Sequence, residues 1–534
     1  MRVRARVWDT PPPFCEFTVP KSAAIRAVRG SVLPIVLSAL ALLAGCADTH
    51  GIRPRAERLD ADTLDMGSQL RAARCASDCE AAWPRQAWWR TFGDAQLDRL
   101  VDSALANSPT LAVAEARVRE AEALLDNARA GEGPSLNGDL ALNRQHWPES
   151  TYYGGGTLAG TNTFNNTAHL TFNYPLDFFG RLKNARLAAL DATRAAVLSV
   201  RAAQLSLSSN LVQAYVQLSL QYALLDVQRK TLQDRQQVLS FAQRRLVAGI
   251  GTQLEVSEAQ APLPQTELAI AQTEASIALL RNQIAALMGQ GPGAGEGLAR
   301  PTLRLAAAPA LPARLPAELV GHRPDVVAAR WLIEAQLHDV AAARAAFYPN
   351  INLAATGGAM AVSSTFWTFT RLSSMGFTAG PALSLPIFDS GRLRAQLGTA
   401  SARADIAVGQ YNDTVVRAMR EIADQVSTLN SLQAQQRIAE RGLATAERSH
   451  AIALTGFRRG LTPYLNVLNA EERLFQEQEA ISRLRAQHVS AFASLAAALG
   501  GGLASPADLP DAPAAAAASA AARPEHVRTA PMPQ

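Results

Sequence analysis

A chain of 534 residues that is 48% hydrophobic, with a formal net charge of +5, holds two to four ordinary domains or one elongated structure with an unusual core. Most of that charge lies in the first 45 residues, where Arg2, Arg4, Arg6, Lys21, Arg26 and Arg29 face only Asp9 and Glu16; the nearly neutral remainder argues against a nucleic-acid partner. The eight histidines are scattered, no Gly-rich loop leads from a strand into a helix, and no Cys/His cluster has ligand spacing, which argues against an enzyme, a metal centre or a cofactor.

From Ser31 to Gly45 the chain is apolar, follows basic residues and ends in small residues. That is the form of a secretory signal, too short for a comfortable membrane span. Leu43-Ala44-Gly45-Cys46 resembles a bacterial lipobox, which implies a diacylated Cys46 as the mature N-terminus. Residue 47 is Ala, so the Asp-type retention signal of enteric lipoproteins is missing. The alternatives are a plain signal peptide or an inner-membrane anchor. Cys75 and Cys79 remain beyond it, and an oxidising periplasm favours a disulfide between them; a metal site would need more ligands than this stretch offers. The polar stretch to Phe92 reads as an extended arm, with Trp88 and Trp89 as packing anchors.

Helical spacing begins near Ala95 with Leu97, Leu100, Val101 and Leu105. Ser108-Pro109 has the form of an N-cap and N1 pair, predicting a second helix to about Ala130. From Pro134 the period becomes two. Leu136, Leu140 and Leu142 alternate with Asn137, Asp139 and Asn143, and Leu170, Phe172 and Tyr174 alternate with His169, Thr171 and Asn173. A second pair follows Pro349, through Ile351, Leu353 and Ala355, then Phe377, Ala379 and Leu383. Alternation alone fits a half-buried soluble sheet as well as a membrane barrel.

Pro175-Leu176-Asp177-Phe178-Phe179-Gly180-Arg181-Leu182 returns 211 residues later as Pro386-Ile387-Phe388-Asp389-Ser390-Gly391-Arg392-Leu393. Gly249, Ile250, Leu254 and Val256 return at the same displacement as Gly460, Leu461, Leu465 and Val467. Two motifs at one offset imply duplicated half-chains. After each Gly-Arg-Leu a heptad seam begins: Val197, Gln204, Leu211, Leu218, Leu225, Leu232, Leu239, and Val408, Val415, Ile422, Leu429, Gln436, Leu443, His450. Such seams predict coiled-coil packing, with helices over about 184–246 and 392–456, roughly 95 Å long at ~1.5 Å per residue. Each ends at its glycine. Thr252, or Thr462-Pro463, restarts a return helix, to about Leu287 and Leu499. The expected divisions are signal sequence and extension 1–45, lipidated arm 46–94, first repeat 95–288, Gly/Pro/Ala linker 289–316, second repeat 317–500 and an Ala/Pro-rich tail 501–534.

Four strands in a membrane leave two open edges, each unpaired backbone group costing on the order of several kcal/mol in hydrocarbon. Closure needs about eight strands or more, so the chain must oligomerise. Trp147, Tyr152, Tyr153, Phe366 and Trp367 at one end of the strands, and Phe178, Phe179 and Phe388 at the other, fit aromatic girdles or ordinary hydrophobic anchors.

The lipobox, Trp88-Trp89-Arg90-Thr91-Phe92, Ala116-Arg117-Val118, Arg323-Pro324-Asp325-Val326, Ala346-Phe347-Tyr348-Pro349 and both repeated motifs resemble TolC-type outer-membrane factors, in particular the NodT-like lipoprotein branch serving tripartite efflux pumps. The resemblance spans about residues 46–500. It implies an α+β membrane protein, with a long-helix α-barrel continuous with a transmembrane β-barrel built from four strands per subunit. It further implies a homotrimer, 12 strands in the outer membrane, 12 helices through the periplasm, and docking onto a periplasmic adaptor and its inner-membrane transporter. Outer-membrane lipid is then a further partner. An outer-membrane component of a protein secretion system shares this architecture; a periplasmic coiled-coil scaffold lipoprotein is the remaining alternative.

On that resemblance the adaptor meets two turns. The first comprises Arg245, Val247, Ala248, Gly249, Ile250, Gly251 and Thr252; the second comprises Arg458, Arg459, Gly460, Leu461, Thr462 and Pro463. Leu254 and Glu258, and Leu465 and Asn469, are four apart and share a helix face. The second pair resembles a leucine ring and an acidic ring that constrict the closed tunnel. Asn469 departs from the acid expected there, leaving Glu258, Glu471 or Glu472 to supply charge, or to form a solvated face.

Overall fold

A computed structural model describes residues 49–60, 64–65, 84, 86–149, 157–304 and 322–502; Cys46, Cys75, Cys79, Tyr152, Tyr153 and the C-terminal tail lie outside them. The chain is mostly helical, with one four-stranded antiparallel sheet.

A 3-10 turn, Trp88–Phe92, buries Trp88, Trp89 and Phe92, and Phe92 meets Phe492 edge to face at 5.5 Å. Asp94 then caps α1 (Ala95–Asn107), its carboxylate accepting from the Gln96 and Leu97 amides. The same carboxylate accepts from Tyr215 Oη at 2.9 Å and from the Thr302 amide at 2.7 Å. Burial pushes its pKa up, but the hydrogen bonds from Thr302, Tyr215, Gln96 and Leu97 outweigh that and hold it below the ordinary carboxylate value. α2 (Pro109–Ala130) starts at the expected proline, yet the Ser108 side chain makes no capping bond. Pro109 leaves one amide fewer to satisfy, so the break needs no hydroxyl.

The strands are β1 (Ser135–His146), β2 (Asn162–Leu176), β3 (Asn350–Ser363) and β4 (Met375–Ser384), in the order β1-β2-β3-β4. Their register sorts the side chains over the half of the sheet nearer the long helices. Leu136↔Phe172, Gly138↔Leu170 and Leu140↔Ala168 continue into Phe172↔Ala355 and Leu170↔Gly357, then Gly357↔Phe377 and Ile351↔Leu383. These residues share one apolar face, because side chains alternate across a pleated strand. The opposite face carries Asn137↔Thr171, Asp139↔His169 and Thr171↔Thr356. The apolar face is bare within the chain, with Leu136, Leu140, Leu383 and Phe377 at 65%, 65%, 68% and 87% exposure. Towards the Trp147 end this face turns polar, with Arg144, His146 and Ser363, and Asn166 is buried on it, its amide donating to the Phe366 carbonyl and its oxygen accepting from the Asn143 amide. Phe366 belongs to the short 3-10 turn Phe366–Thr370 between β3 and β4.

The long helices are α3 (Arg181–Val247) and α8 (Arg392–Arg458), 67 residues each, about 100 Å at ~1.5 Å per residue. Each follows a left-handed glycine, Gly180 or Gly391, whose missing side chain cannot cap. An aspartate upstream does so instead: Asp177 accepts from the Lys183 amide, and Asp389 from the Gly391 and Leu393 amides. These aspartates are not at equivalent positions, since Asp177 shifted by 211 falls on Phe388. The seam residues Leu211, Leu218 and Leu225, and Val408, Val415, Ile422 and Leu429, are buried.

The first return segment differs from the single helix expected: it is α4 (Gln253–Gln260) and α5 (Pro262–Leu287). Pro262 and Pro264 lack the amides that would bond the Glu258 and Gln260 carbonyls, so the hydrogen-bond ladder is interrupted at Ala261, although the backbone there stays helical at φ −55° and ψ −39°. A four-residue helix, α6 (Gly293–Glu296), follows. α7 (Pro324–Ala345) precedes β3. The second return helix, α9 (Tyr464–Ala498), is unbroken.

The helices form a single row of staves. Beside the sheet, α2 packs on α3, α3 on α7 and α7 on α8; beside the turns, α5 packs on α3, α3 on α9 and α9 on α8. Arg323 joins the two levels, donating from Nη1 to the Ala498 carbonyl and to Glu421, and pairing with Asp325. One margin of the row is therefore α2 and α5, the other α8. β1 follows α2 and β4 precedes α8, so the open edges of sheet and helices fall on the same two sides.

Candidate functional site: the paired helix turns

α3 and α8 end in the same hydrogen-bond pattern. In the first turn the Gly249 amide donates to the Leu246 carbonyl and the Ile250 amide to the Arg245 carbonyl; in the second, Gly460 donates to Phe457 and Leu461 to Gly456. Both are Schellman motifs, with glycine at φ 72° and 73°, a conformation that other residues adopt only with strain. The turn forces Val247, Ile250 and Leu461 outward at 90%, 67% and 74% exposure. Ala248, Gly249, Arg458, Arg459, Gly460 and Pro463 are exposed beside them. The result is a small apolar surface rimmed by arginine.

Arg245 departs from that group. Its side chain is 18% exposed and lies 3.6 Å from Glu255, donates to the Ile250 carbonyl at 3.1 Å, and sits 5.5 Å over the Phe457 ring of the other turn. It fastens the turns together. Gly251 and Thr462 are half-buried. Thr252 caps α4 through the Glu255 amide, as expected. Its counterpart at the offset of 211 is Pro463, which has no side-chain oxygen to cap with. The expected Thr462 cap does not form, Pro463 keeps an extended ψ of 157°, and α9 starts at Tyr464, which is the equivalent of Gln253 and turns fully inward.

Both turns share one core, formed by Val238 and Ala242 of α3, Val256 and Ala259 of α4, Phe457 of α8, and Tyr464 and Val467 of α9. Phe457 stands 5.5 Å from Phe241 and 5.6 Å from Tyr464. Burial, with Glu471 adding to it, pushes the Tyr464 hydroxyl up to about 12, so it stays protonated.

Of the constriction candidates, Leu254 and Leu465 are exposed at 66% and 49%, Asn469 is exposed and Glu258 half-buried. Glu471 cannot furnish a charge to a lumen. It is 5% exposed, and its Oε1 accepts from Arg235 Nε at 2.9 Å. Glu472 remains half-exposed, 3.4 Å from Arg235 Nη2. The Arg235 cluster was not visible in the sequence; the only signal near it is the pair Pro262 and Pro264.

A bare apolar sheet face opposite a polar one, continued by long staves with linked turns, is the architecture of an outer-membrane channel protein. The family model described as outer membrane efflux protein matches residues 100–290 and 315–501, and the chain belongs to that family. Among relatives it is similar to the fusaric acid resistance protein FusA of Burkholderia cepacia, 42% identical over 376 residues, 70% of each chain. It is also similar to the pyoverdine export outer membrane protein OpmQ of Pseudomonas aeruginosa, 30% identical over 477 residues, 88% of this chain and 96% of OpmQ. The crystal structure of the outer membrane protein VceC of Vibrio cholerae matches with a TM-score of 0.73 and 34% identity, covering 79% of this chain and 100% of that one. The protein is thus an efflux channel of the outer membrane, of a family of channels rather than enzymes.

Proposed function

We propose that three copies close head to tail into one tube, a 12-stranded barrel in the outer membrane continued by 12 helical staves in the periplasm, conducting small molecules delivered by an adaptor and an inner-membrane pump. The observation that carries this reading is the agreement of edges. Among the described residues β1 and β4 are unpaired on their outer sides, and a strand edge in hydrocarbon must be paired. The helical margins beneath them carry exposed apolar residues: Val113 and Leu124 on α2, Leu268 and Leu279 on α5, Ile406, Val416, Ile438 and Ile452 on α8. A head-to-tail interface between α8/β4 of one copy and α2/α5/β1 of the next satisfies both layers in one rotation and closes as a ring.

The half-chains read as duplicated staves of one wall. Left-handed glycines recur at 180 and 391, 249 and 460, and 289 and 500, all displaced by 211. The exposed turn residues Val247, Ile250, Leu461, Arg458 and Arg459 suit an adaptor, and Leu254 and Leu465 the constriction. Replacing both Leu254 and Leu465 with alanine should raise conductance in planar bilayers. An unchanged closed-state conductance would count against the gate.

Acylation of Cys46 is supported by the path of the arm. Arg394 donates to His50 at 3.2 Å, two residues into α8 and next to the sheet. The Arg55 and Ala56 amides then reach Asp405, and the Leu59 amide reaches Asn412. The arm thus descends α8 from the membrane end. The described arm therefore starts at the sheet end of α8, the end at which a lipid anchor would meet a membrane. Mass spectrometry of the mature N-terminus should find a diacylglyceryl group on Cys46; an unmodified thiol there would sink the assignment.

A further inference from the structure

The charged cluster around Arg235 lies inside the wall, and neither the duplication nor the exposed turn surface accounts for it. Arg235 is 6% exposed. Its guanidinium donates from Nε to Glu471 Oε1 at 2.9 Å, from Nη1 to Thr266 Oγ1 at 2.6 Å and to the Pro262 carbonyl at 3.2 Å, and from Nη2 to Glu472 Oε2 at 3.4 Å. One side chain of α3 thereby grips α5 at its first residue, where the prolines interrupt the hydrogen-bond ladder of the return helix, and grips α9 as well.

The cluster exists in one half only. Shifted by 211, Arg235 falls on Ala446, while Glu471 corresponds to Gln260. The prolines are equally one-sided, since Pro262 and Pro264 correspond to Arg473 and Phe475 within the unbroken α9. The first half therefore combines a helix weakened by two missing ladder bonds, a place where it could hinge, with a clamp across it. Leu254 precedes the hinge by eight residues, about 12 Å of helix at ~1.5 Å per residue, and Leu465 precedes Glu471 by six, about 9 Å on the same scale.

A buried ion pair adds little net stability over well-packed apolar residues of the same volume. The rigid fork of a guanidinium does fix the relative position of the groups it bonds. We infer that Arg235 is a positioning residue for the channel gate: it latches the Pro262 hinge and α9 to α3, and so holds Leu254 and Leu465 in the closed arrangement. Opening then breaks the bonds to Glu471 or to the Pro262 carbonyl and lets α4 swing about the hinge. The inference rests on the channel reading above and adds to it the element that keeps the gate shut.

The test compares full-length wild type with Arg235→Met, Arg235→Lys and Glu471→Gln, reading single-channel conductance in planar bilayers together with the thermal midpoint of the detergent-solubilised oligomer. Arg235→Met should raise closed-state conductance severalfold while leaving the oligomer intact. Arg235→Lys, which keeps the charge but loses the fork, should fall between. Glu471→Gln keeps shape while removing one charge, and should raise conductance even if Arg235→Met assembles poorly. Wild-type conductance in an intact Arg235→Met oligomer overturns the latch, and loss of the oligomer in both Arg235→Met and Glu471→Gln makes Arg235 a folding residue and overturns it too. Wild type that forms no channel refutes the channel reading itself, whereas a latch failure leaves the Leu254/Leu465 double variant conducting.

Discussion

Leu170→Arg is expected to abolish assembly in the outer membrane, while Thr171→Arg, one residue along β2, is tolerated. Leu170 lies on the bare apolar face, 56% exposed, between Gly138 and Gly357. No larger neighbour shields it from whatever covers that face. If the face meets lipid, an arginine near the bilayer midplane costs about 2–4 kcal/mol per copy, and a closed trimer incurs it three times. Thr171 points to the other side, between Asn137 and Thr356, where an added charge meets water if the proposed barrel encloses a lumen. Outer-membrane fractions run on gels with and without heating report the outcome. Wild type and Thr171→Arg should give a heat-modifiable trimer, and Leu170→Arg should not. Equal assembly of both variants would mean that the apolar face does not contact lipid, and equal loss that neither face opens on water.

Much of this was legible from periodicity. Alternation at Leu136–Leu142 and Leu170–Tyr174 located the strands, and the heptads through Leu211 and Ile422 located the long helices, because side-chain period is set locally by backbone geometry. The glycines at 249 and 460 were legible for the same reason: a left-handed residue after a heptad seam has few other uses. Which face of each strand is apolar also followed from the sequence, but the agreement of that face across four strands is a matter of register, and register depends on pairs as distant as Leu170 and Gly357.

The failures are instructive in the same terms. The break at Ala261 was written in Pro262 and Pro264, yet the apolar spacing continues through it and masks it. The caps Asp177 and Asp389 sit one place out of step in the two motifs, so the repeat hid their common role. Arg235 and Glu471 are 236 residues apart, and each alone looks like a solvated helix charge. Only packing shows that one carboxylate expected near the lumen is buried, and that Arg245, expected on the exposed turn, holds the two turns together. Long-range polar pairs carry no local periodic signal, and the regions that failed to read are those where such pairs decide the structure.

The same reasoning makes Asp94→Ala a strongly destabilising change in the helical layer. Asp94 is 4% exposed and joins three parts of the chain: the start of α1, Tyr215 in the middle of α3, and Thr302 after α6. Removing the N-cap costs about 0.5–2 kcal/mol, and stranding the buried partners it satisfies adds about 1–3 kcal/mol. The fully buried Tyr215 hydroxyl would keep only the Gln96 amide as a neighbour. The lowered pKa fixes the sign of the pH dependence. A carboxyl held below its unfolded value near 3.9 stabilises the fold fully at neutral pH, and that contribution disappears only as pH falls through the lower folded value. Denaturant titration of the detergent-solubilised protein near pH 7 should therefore show a loss of roughly 2–5 kcal/mol for Asp94→Ala, and a smaller loss for Asp94→Asn, whose amide oxygen still accepts. Because Phe92 and the Arg304 amide meet beside this cap, the alanine variant should also expose the Trp88–Phe92 turn to protease before the long helices are cut. A loss below about 0.5 kcal/mol, the range of ordinary surface substitutions, would show that the Trp88, Trp89 and Phe92 side chains anchor the turn without the carboxylate.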